Sequence, residues 1–344
     1  MKKILYVGND LKHKFINTTV MRTLGPALEQ EGYTVYYTSP KKNKVLRLLD
    51  MIISVLRYGR RVDVVFIDTY STLNFYYALT VSWLAALFKL PYIPILHGGN
   101  LVTRIKSSPI LAHRIFDNAH INISPSRFLY EAFKTHHYDN VIYVPNFLKI
   151  EQYPLVEKTY DRLNILWVRS LESMYNPKLA LLVMKQLKES GYDARLCMVG
   201  PDRDGQKADL SGFARDHHLD VSFTGKLSKA DWIDTSKDYN LFLNTTNIDN
   251  MPVSVIEAMA LGFPIVSTNV GGLPYLIDQN ENGILVQPNN IDAMTKAITE
   301  LWTDKVRLKA MSAKARKTAE TFDWHKVKAK WIAVLDEDHA VDTT

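Results

Sequence analysis

The sequence has 344 residues, of which 47% are hydrophobic and 23% are charged, and its formal net charge is +6. A chain of this length can form two domains with separate cores, and its composition excludes an intrinsically disordered protein. The one cysteine, Cys197, excludes an intrachain disulfide and lies in an apolar run, where it is expected to pack in a core. A reducing cytoplasm is therefore the simplest location.

We expect no signal peptide, because the apolar run that follows Met1-Lys2-Lys3 is too short. The longest apolar tract, 73–96, is interrupted by Lys89, Pro91 and Pro94. This pattern favours a buried helix followed by a strand over a membrane span.

The positive charge is concentrated in the first 150 residues, which contain 19 Lys and Arg but 9 Asp and Glu. Much of this excess surrounds a helical pattern of apolar residues in the segment 41–61. The basic residues are Lys41, Lys42, Lys44, Arg47, Arg57, Arg60 and Arg61, and the apolar ones are Leu46, Leu49, Ile52, Ile53 and Leu56. Such a helix can lie on an anionic bilayer, or it can be an ordinary packing helix with a solvated basic face. Nucleic acid is disfavoured as a partner, because no nucleic-acid motif is visible.

Short apolar runs alternate with helical patterns along the chain, which is typical of parallel sheets covered by helices. The predicted strands are 3–7, 34–37, 62–68, 92–96, 120–123 and 141–144 in the first half, and 163–168, 194–199, 221–223, 239–243, 265–268 and 283–286 in the second. We expect two doubly wound α/β domains linked by the polar stretch 149–162. A terminal helix is predicted at 322–335 from the spacing of its aromatic and apolar residues.

The segment 249–262 predicts a helix N-terminus that can bind phosphate. Asn250 is a candidate N-cap, Pro252 suits the first turn, and the apolar run 253–260 is compatible with a helix. Free backbone amides near Met251 to Ser254 would then point outward, where the positive end of the helix dipole favours an anion.

Glu257 lies about one turn further into this helix, where a carboxylate can accept hydrogen bonds from a pair of ribose hydroxyls. The alternative is a capped amphipathic helix whose glutamate is merely solvated.

The same segment resembles the donor motif of family 4 of the retaining glycosyltransferases, in which two glutamates are separated by seven residues. Asp249 stands at the first position and Glu257 at the second, so the first acid is the shorter aspartate. The runs 262–266 (GFPIV) and 269–274 (NVGGLP) continue the resemblance. In the family the first acid contacts the donor sugar and the second contacts the ribose.

The resemblance implies the GT-B fold, with two facing Rossmann-like domains and a C-terminal helix that returns to the first domain. We place an acceptor-side domain at 1–155, a nucleotide-sugar-binding domain at 156–320 and the returning helix at 321–344. A Rossmann dehydrogenase is disfavoured, because neither first strand leads into a full three-glycine pattern.

Ligands of open parallel sheets bind beyond the carboxyl ends of the strands. In the first domain these ends carry Gly8-Asn9-Asp10, which is weakly similar to the family's glycine-rich loop, and His97 before two glycines. His97 matches the family histidine expected near the donor sugar, and a histidine satisfied by loop backbone is the alternative. Asn100, Arg104 and Lys106 are either acceptor-binding or solvated loop residues.

In the second domain Arg169 follows a strand and matches the family's phosphate-binding arginine, whose guanidinium can hold a pyrophosphate by two parallel hydrogen bonds. Five residues later the family has a lysine, whereas this chain has Met174, and Lys178 is not assigned that role. Gly200 and Leu227 lie in loops that surround the nucleobase in the family, or else in ordinary strand-to-helix turns.

The resemblance thus implies His97, Arg169 and Asp249 as catalytic residues. The residues implied in donor binding are Arg169, Gly200, Leu227, Asp249, Asn250, Met251, Pro252, Val253, Ser254 and Glu257. We expect no metal ion or other cofactor, because Arg169 and the helix amides would stabilise the departing phosphate. The acidic clusters 202–204 and 336–338 are interpreted as solvated turns or tail.

These implications predict a cytoplasmic, metal-independent retaining glycosyltransferase that moves a hexose-type sugar from a UDP- or GDP-sugar to a glycan or lipid-linked acceptor in cell-surface polysaccharide synthesis. If the basic helix lies on an anionic bilayer, the protein would be peripheral at the inner face of the membrane. Two alternatives stay open. One is a sugar-nucleotide epimerase of the same fold, and the other is a non-catalytic nucleotide-sugar-binding subunit, suggested by Asp249 and the missing lysine.

Overall fold

A computed structural model describes residues 1–10 and 20–336. The chain divides into two compact units, the first containing Met1–Pro145 and the residues from Lys328 onward, and the second containing Asn146–Val327. The second unit is therefore built from one continuous segment that interrupts the first.

A six-stranded parallel sheet forms the centre of the first unit. Its strands are β1 (Lys3–Val7), β2 (Thr34–Thr38), β3 (Val64–Thr69), β4 (Tyr92–Leu96), β5 (Asn122–Ser124) and β6 (Val141–Tyr143), and they lie in the order β2-β1-β3-β4-β5-β6. The described helices are α1 (Val20–Gln30), α2 (Lys44–Tyr58), α3 (Asn74–Leu87), α4 (Leu101–Ser107), α5 (Pro109–Phe116) and α6 (Arg127–Thr135). Every residue of β3 and β4 is buried, as expected for strands covered on both faces. The strand order reverses between β1 and β3, which opens a crevice at their carboxyl ends.

The second unit contains another six-stranded parallel sheet, in the order β12-β11-β10-β7-β8-β9. Its strands are β7 (Leu163–Val168), β8 (Ala194–Val199), β9 (Val221–Gly225), β10 (Leu241–Asn244), β11 (Ile265–Thr268) and β12 (Ile284–Val286). The helices are α7 (Pro177–Glu189), α8 (Lys207–Asp216), α9 (Lys229–Thr235), α10 (Val253–Ala260), α11 (Ile291–Thr303) and α12 (Lys305–Ala319), and α13 (Trp324–Asp336) follows. Here the strand order reverses between β7 and β10, so the crevice opens between those two strands.

All twelve predicted strands are present, with ends that differ by at most two residues. The prediction of two doubly wound α/β domains is therefore confirmed. The terminal helix also forms, and from Lys328 its residues pack within the first unit. There Lys328 pairs with Glu31 at 3.0 Å, and the tilted rings of Trp331 and Phe66 lie 5.7 Å apart between centroids.

The polar segment 149–162 packs within the second unit instead of running free between the units. Tyr153 and Lys158 are buried, and the Lys158 ammonium donates to the Ser236 carbonyl at 2.7 Å. The same ammonium lies 4.0 Å from the centroid of the Phe263 ring. A lysine can be buried in this way when its stem covers apolar surface and its charge finds partners. The unit boundary therefore precedes this segment.

The two ends of the second unit are bonded to each other. The Leu148 amide donates to the Phe322 carbonyl at 3.0 Å, and the Trp324 amide donates to the Leu148 carbonyl at 2.8 Å. A parallel bridge joins Leu148 to Asp323, and the rings of Phe147 and Trp324 lie 4.4 Å apart. Backbone hydrogen bonds thus hold the beginning and the end of the second unit together.

Helix α2 turns most of its predicted apolar stripe toward solvent, although Ile52 packs against the core. Its exposed residues include Leu46, Leu49, Ile53 and Leu56, each about half exposed, whereas Arg47, Met51 and Val55 are buried. Arg47 is held inward because its guanidinium donates to the carbonyls of Lys41 and Lys42 and to the Asn9 side chain. The helix still packs on the core through Met51 and Val55, so both interpretations of α2, an ordinary packing helix and a helix that lies on a bilayer, stay open.

Helix α3 and strand β4 occupy the longest apolar tract, as predicted. The helix buries Phe75, Ala78 and Val81, but it leaves Trp83 and Leu87 64% exposed. Within residues 1–10 and 20–336, no helix combines the length and the apolarity that a bilayer crossing requires.

Candidate functional site

The candidate site of the second unit lies where β7 and β10 are neighbours and the strand order reverses. Arg169 directly follows β7, and Asp249 lies in the loop that leaves β10. Their side chains form an ion pair between Arg169 Nη2 and Asp249 Oδ2, and each is only about one-seventh exposed. Two residues 80 positions apart are thus brought together at the edge of the sheet where ligands of this topology bind.

Both members of this ion pair are largely removed from water. Burial raises the pKa of the Asp249 carboxyl, and the Arg169 guanidinium and the Asn250 amide, which donates to Asp249 Oδ1 at 2.8 Å, offset this only in part. The guanidinium also lies 4.8 Å from the centroid of the Tyr175 ring. Arg169 is therefore oriented by a carboxylate and an aromatic face before any ligand arrives.

Glycines make this arrangement possible, because backbone segments approach one another closely. A methyl group on Gly200 would lie 1.7 Å from the Arg169 carbonyl oxygen, and one on Gly272 would lie 1.5 Å from the Asn250 carbonyl oxygen. Gly200, predicted in a nucleobase loop, therefore supports the backbone of Arg169. The turn at 271–272 packs in the same way against the loop that carries Asp249.

Helix α10 begins later than predicted. Pro252 is its N-cap, and no side chain caps the helix, so the prediction that Asn250 is the N-cap is wrong. Asn250 is buried in the loop, where its carbonyl packs against Gly272. The amides of Val253 and Ser254 make no hydrogen bond within the described part of the chain. The expected free amides are therefore present at these two positions.

Two further polar atoms lack partners here. Arg169 Nε and Ser254 Oγ are buried, and neither bonds to any described residue. A buried donor without an acceptor is costly in a folded protein. An anion bound between Arg169 and the first turn of α10 would supply acceptors to both.

Glu257 is 7% exposed and has two partners that the sequence did not reveal. The Tyr153 hydroxyl donates to Glu257 Oε1 at 2.9 Å, and the Lys229 ammonium pairs with the same oxygen. The alternative of a merely solvated glutamate is therefore wrong. Tyr153 and Lys229 lie 104 and 28 positions from Glu257, so no local spacing signals their contact.

The residues that depart from the family pattern have other partners. Met174 lies in a short turn and its carbonyl accepts from the Asn247 amide at 2.8 Å. The Lys178 ammonium lies 3.2 Å from the centroid of the Phe213 ring, so it is engaged away from Arg169. Leu227 is partly buried against the apolar cluster around α10, in the loop between β9 and α9.

The acidic cluster 202–204 is occupied by structural bonds. Asp202 accepts from the Gln206 and Lys207 amides at the start of α8, and Asp204 accepts from the Ser173 amide at 2.8 Å. Of the cluster 336–338, Glu337 and Asp338 lie outside the described residues. Among residues 1–10 and 20–336, no group of three or more His, Cys, Asp and Glu side chains is arranged to hold a metal ion.

His97 belongs to the first unit, at the carboxyl end of β4. It is 7% exposed, its Nε2 lies 2.9 Å from Asp68 Oδ1, and its ring stacks on Tyr70 at 4.7 Å. The Tyr6 hydroxyl donates to the same Asp68 oxygen at 3.2 Å. Burial next to Asp68 raises the pKa of both tyrosines, which stay protonated. Asp68 was missed, although it stands near the end of a buried strand in the sequence.

Of the three other loop residues, Arg104 donates to the Ser71 carbonyl at 2.8 Å and lies over the Phe75 ring, which is a structural role. Asn100 and Lys106 are exposed.

Residues 154–318 match the family described as Glycosyl transferases group 1. This segment, just under half of the chain, is therefore similar to group 1 glycosyl transferase domains. An uncharacterized glycosyltransferase of Haemophilus influenzae is 30% identical to the chain over 156 residues, which cover 45% of this chain and 44% of that protein. A GDP-mannose-dependent monoacylated alpha-(1-6)-phosphatidylinositol monomannoside mannosyltransferase of Corynebacterium glutamicum is 27% identical over 163 residues, or 45% of this chain and 42% of that protein. The chain thus spans less than half the length of these relatives.

Among solved structures, Anabaena HepE in complex with UDP and glucose superposes with a TM-score of 0.77 at 16% identity, covering 98% of this chain and 100% of that chain. The two units therefore have the GT-B fold, and the predicted resemblance is confirmed.

Proposed function

We propose that the protein is a retaining glycosyltransferase that moves a hexose-type sugar from a nucleoside diphosphate sugar to a glycan or lipid-linked acceptor in cell-surface polysaccharide synthesis, at the cytoplasmic side of the membrane. Membership of residues 154–318 in the group 1 family supports a transferase. The UDP held by HepE in its complex and the GDP-mannose dependence of the Corynebacterium relative support the donor class. The phosphatidylinositol monomannoside after which that relative is named supports a lipid-linked acceptor.

One arrangement carries the proposal. A buried arginine with an unpartnered Nε stands at the strand-order switch, beside a helix whose first turn offers two free amides and a serine hydroxyl without a partner among the described residues. All of these groups donate hydrogen bonds, and Arg169 and the helix dipole add positive charge. Glu257 is an acceptor one turn further in. The hydrogen-bond donors of Arg169 and the first turn of α10 suit a diphosphate, and the acceptor Glu257, one turn further in, suits the ribose attached to it.

The reaction follows from these groups. The bond between the sugar C1 and the β-phosphate oxygen breaks, and its electron pair leaves with the phosphate, where Arg169 and the α10 amides stabilise the developing charge. The acceptor oxygen bonds to C1 on the same face, and its proton passes to the departing phosphate. No protein nucleophile or metal ion is needed. Asp249 would bind the sugar hydroxyls with the oxygen that Arg169 does not hold.

Calorimetric binding of UDP, GDP, ADP and dTDP tests the donor site. We expect micromolar binding of one nucleotide that is lost in Glu257→Ala and kept in Glu281→Ala, whose carboxylate pairs with Lys314 on the exposed surface. Absence of binding by the wild type, or equal binding by both variants, would overturn the site.

The matching sugar nucleotide then tests the reaction. Transfer to a lipid-linked or glycan acceptor with the donor's anomeric configuration, undiminished by EDTA, is expected. A rearranged nucleotide sugar without acceptor would identify an epimerase, and binding without transfer or hydrolysis would identify a binding subunit.

The exposed face of α2 and α3 supports peripheral membrane association. These helices pack against each other, and together they expose Leu49, Ile53, Trp83 and Leu87. Residues 41–116 contain eleven Lys and Arg against three Asp and Glu. Exposed apolar side chains on two neighbouring helices, in a segment with excess positive charge, complement an anionic bilayer, into whose interface the apolar side chains can insert.

Vesicles with and without anionic phosphatidylglycerol test this association by sedimentation. We expect binding to anionic vesicles at low salt, and weaker binding by Leu49→Ser/Ile53→Ser than by Val306→Ser, which removes an exposed valine of the second unit. Equal binding by the two variants, or no binding by the wild type, would remove the membrane from the proposal.

A further inference from the structure

The carboxylate of Glu257 is held by one of its two oxygens. Both bonds to the side chain, from Tyr153 and from Lys229, fall on Oε1. No described residue bonds to Oε2, and this oxygen is not sealed from solvent. The carboxylate is therefore restrained on one side and open on the other.

The two partners are themselves anchored. Tyr153 is buried, and its carbonyl accepts from the Arg316 guanidinium at 2.7 Å. Arg316 also bonds the carbonyl of Ala260 at the end of α10, so α12 ties Tyr153 to the helix that carries Glu257. Lys229 is the first residue of α9, directly after the N-cap Ser228.

Tyr153 and Lys229 are both protonated at neutral pH, so both can donate hydrogen bonds to Glu257. Burial raises the pKa of the Tyr153 phenol far above its usual range, so Tyr153 always offers a proton. Desolvation lowers the pKa of Lys229 to about 8, although about half of its side chain surface is exposed. At pH 7 Lys229 therefore remains an ammonium and balances the charge of Glu257 beside the diphosphate subsite.

We propose that Tyr153 and Lys229 are positioning residues of the ribose subsite, which fix Glu257 through Oε1 so that Oε2 accepts from the ribose hydroxyls. This inference rests on the proposed donor site. It assigns a role to a tyrosine that precedes the segment matched by the family and to a lysine outside the two-acid motif. A glutamate that is already oriented loses less side-chain freedom when the nucleotide binds.

The test compares UDP and GDP with their 2′,3′-dideoxy counterparts by calorimetry. In the wild type the nucleotide that binds should be preferred over its dideoxy form by about tenfold or more, because both ribose bonds to Glu257 are lost. Tyr153→Phe and Lys229→Met should reduce that preference about threefold to tenfold, with the affinity for the dideoxy form nearly unchanged. Lys229→Arg should restore most of the preference, and Lys237→Met, which removes an exposed lysine paired with Asp234, should keep all of it.

The outcomes separate this inference from the proposed function. A wild type that prefers the ribose nucleotide, with variants that keep the same preference, overturns the positioning role and leaves the donor site intact. Variants that lose affinity equally for both forms show a structural role and overturn it as well. A wild type that binds no nucleotide overturns the donor site and this inference together. Melting temperatures of both variants establish that they fold.

Discussion

The α carbon of Gly272 lies so close to Asn250 that a methyl group added to it would stand 1.5 Å from the Asn250 carbonyl oxygen. The contact is between two backbone segments, so no side chain can move aside. The loop that carries Asp249 is therefore held by the turn that follows β11.

Gly272→Ala should displace this loop. We expect a loss of about 1–3 kcal/mol in the free energy of unfolding, as in overpacked cores, and weaker nucleotide binding. Denaturant unfolding and calorimetry measure the two effects. The control is Gly212→Ala, where the added methyl group would meet only the end of Arg215 at 3.9 Å; it lies in α8 and should gain about 0.5–1 kcal/mol. If Gly272→Ala and Gly212→Ala change stability and nucleotide binding alike, the close approach of Gly272 to Asn250 does not hold the loop in place.

Arg169→Met should reduce kcat/KM about 10²- to 10³-fold, because the departing phosphate loses its desolvated cation. The kcat/KM of Arg169→Lys should lie between those of the wild type and Arg169→Met, because lysine keeps the charge but loses the forked pair of donors. Steady-state kinetics with the identified sugar nucleotide measure this. Arg162→Met, which breaks surface ion pairs with Asp193 and Asp220, should retain wild-type kinetics. Equal losses in the two methionine variants would contradict the role of Arg169.

Asp249→Asn should abolish transfer without lowering stability at pH 7. Burial raises the pKa of Asp249, so the folded protein holds this proton more tightly than the unfolded chain does. The free energy of unfolding therefore falls as the pH rises from the ordinary aspartate pKa through the raised one, and the cost is fully present above the raised pKa.

Melting temperatures between pH 7 and pH 4 check this sign. The asparagine variant should equal or exceed the wild type at pH 7, and its advantage should shrink toward about pH 4, where an unfolded aspartate also takes up its proton. The exposed Asp161→Asn should show no such trend. An asparagine variant that is less stable at pH 7 would show that the ion pair with Arg169 outweighs desolvation.

Asp68→Asn should disturb the tautomer of His97. The Asp68 carboxylate can only accept, so it requires a proton on His97 Nε2 and, of the two neutral tautomers, favours the one that leaves Nδ1 as an acceptor. An asparagine amide can donate as well as accept and no longer makes this selection. The nitrogen chemical shifts of His97 report the tautomer, and kcat/KM should fall about tenfold or more. Shifts unchanged from wild type would contradict this.

The strands could be predicted because buried parallel strands appear as short apolar runs, and the acids Asp249 and Glu257 could be found because they lie on one loop and helix. The contacts of Tyr153 and Lys229 could not, since they join distant parts of the chain. The sequence also left open which side of α2 faces the core. Helical periodicity identifies an apolar stripe but not the side on which the core lies, and buried Arg47 occupies the inner side with its guanidinium bonded to backbone carbonyls.

The hydrogen bonds between Leu148 and the segment 322–324 make the second unit suitable for excision and exchange. Because the second unit begins and ends at adjacent backbone positions, a cut before Asn146 and another after Val327 remove it as one piece whose ends already meet. Because its two ends are already close together, the excised unit needs no connection through the first unit to hold them, and we expect it to fold by itself. Under the proposed function, exchanging this piece for the second unit of another transferase would change the sugar that is supplied and leave the acceptor unchanged.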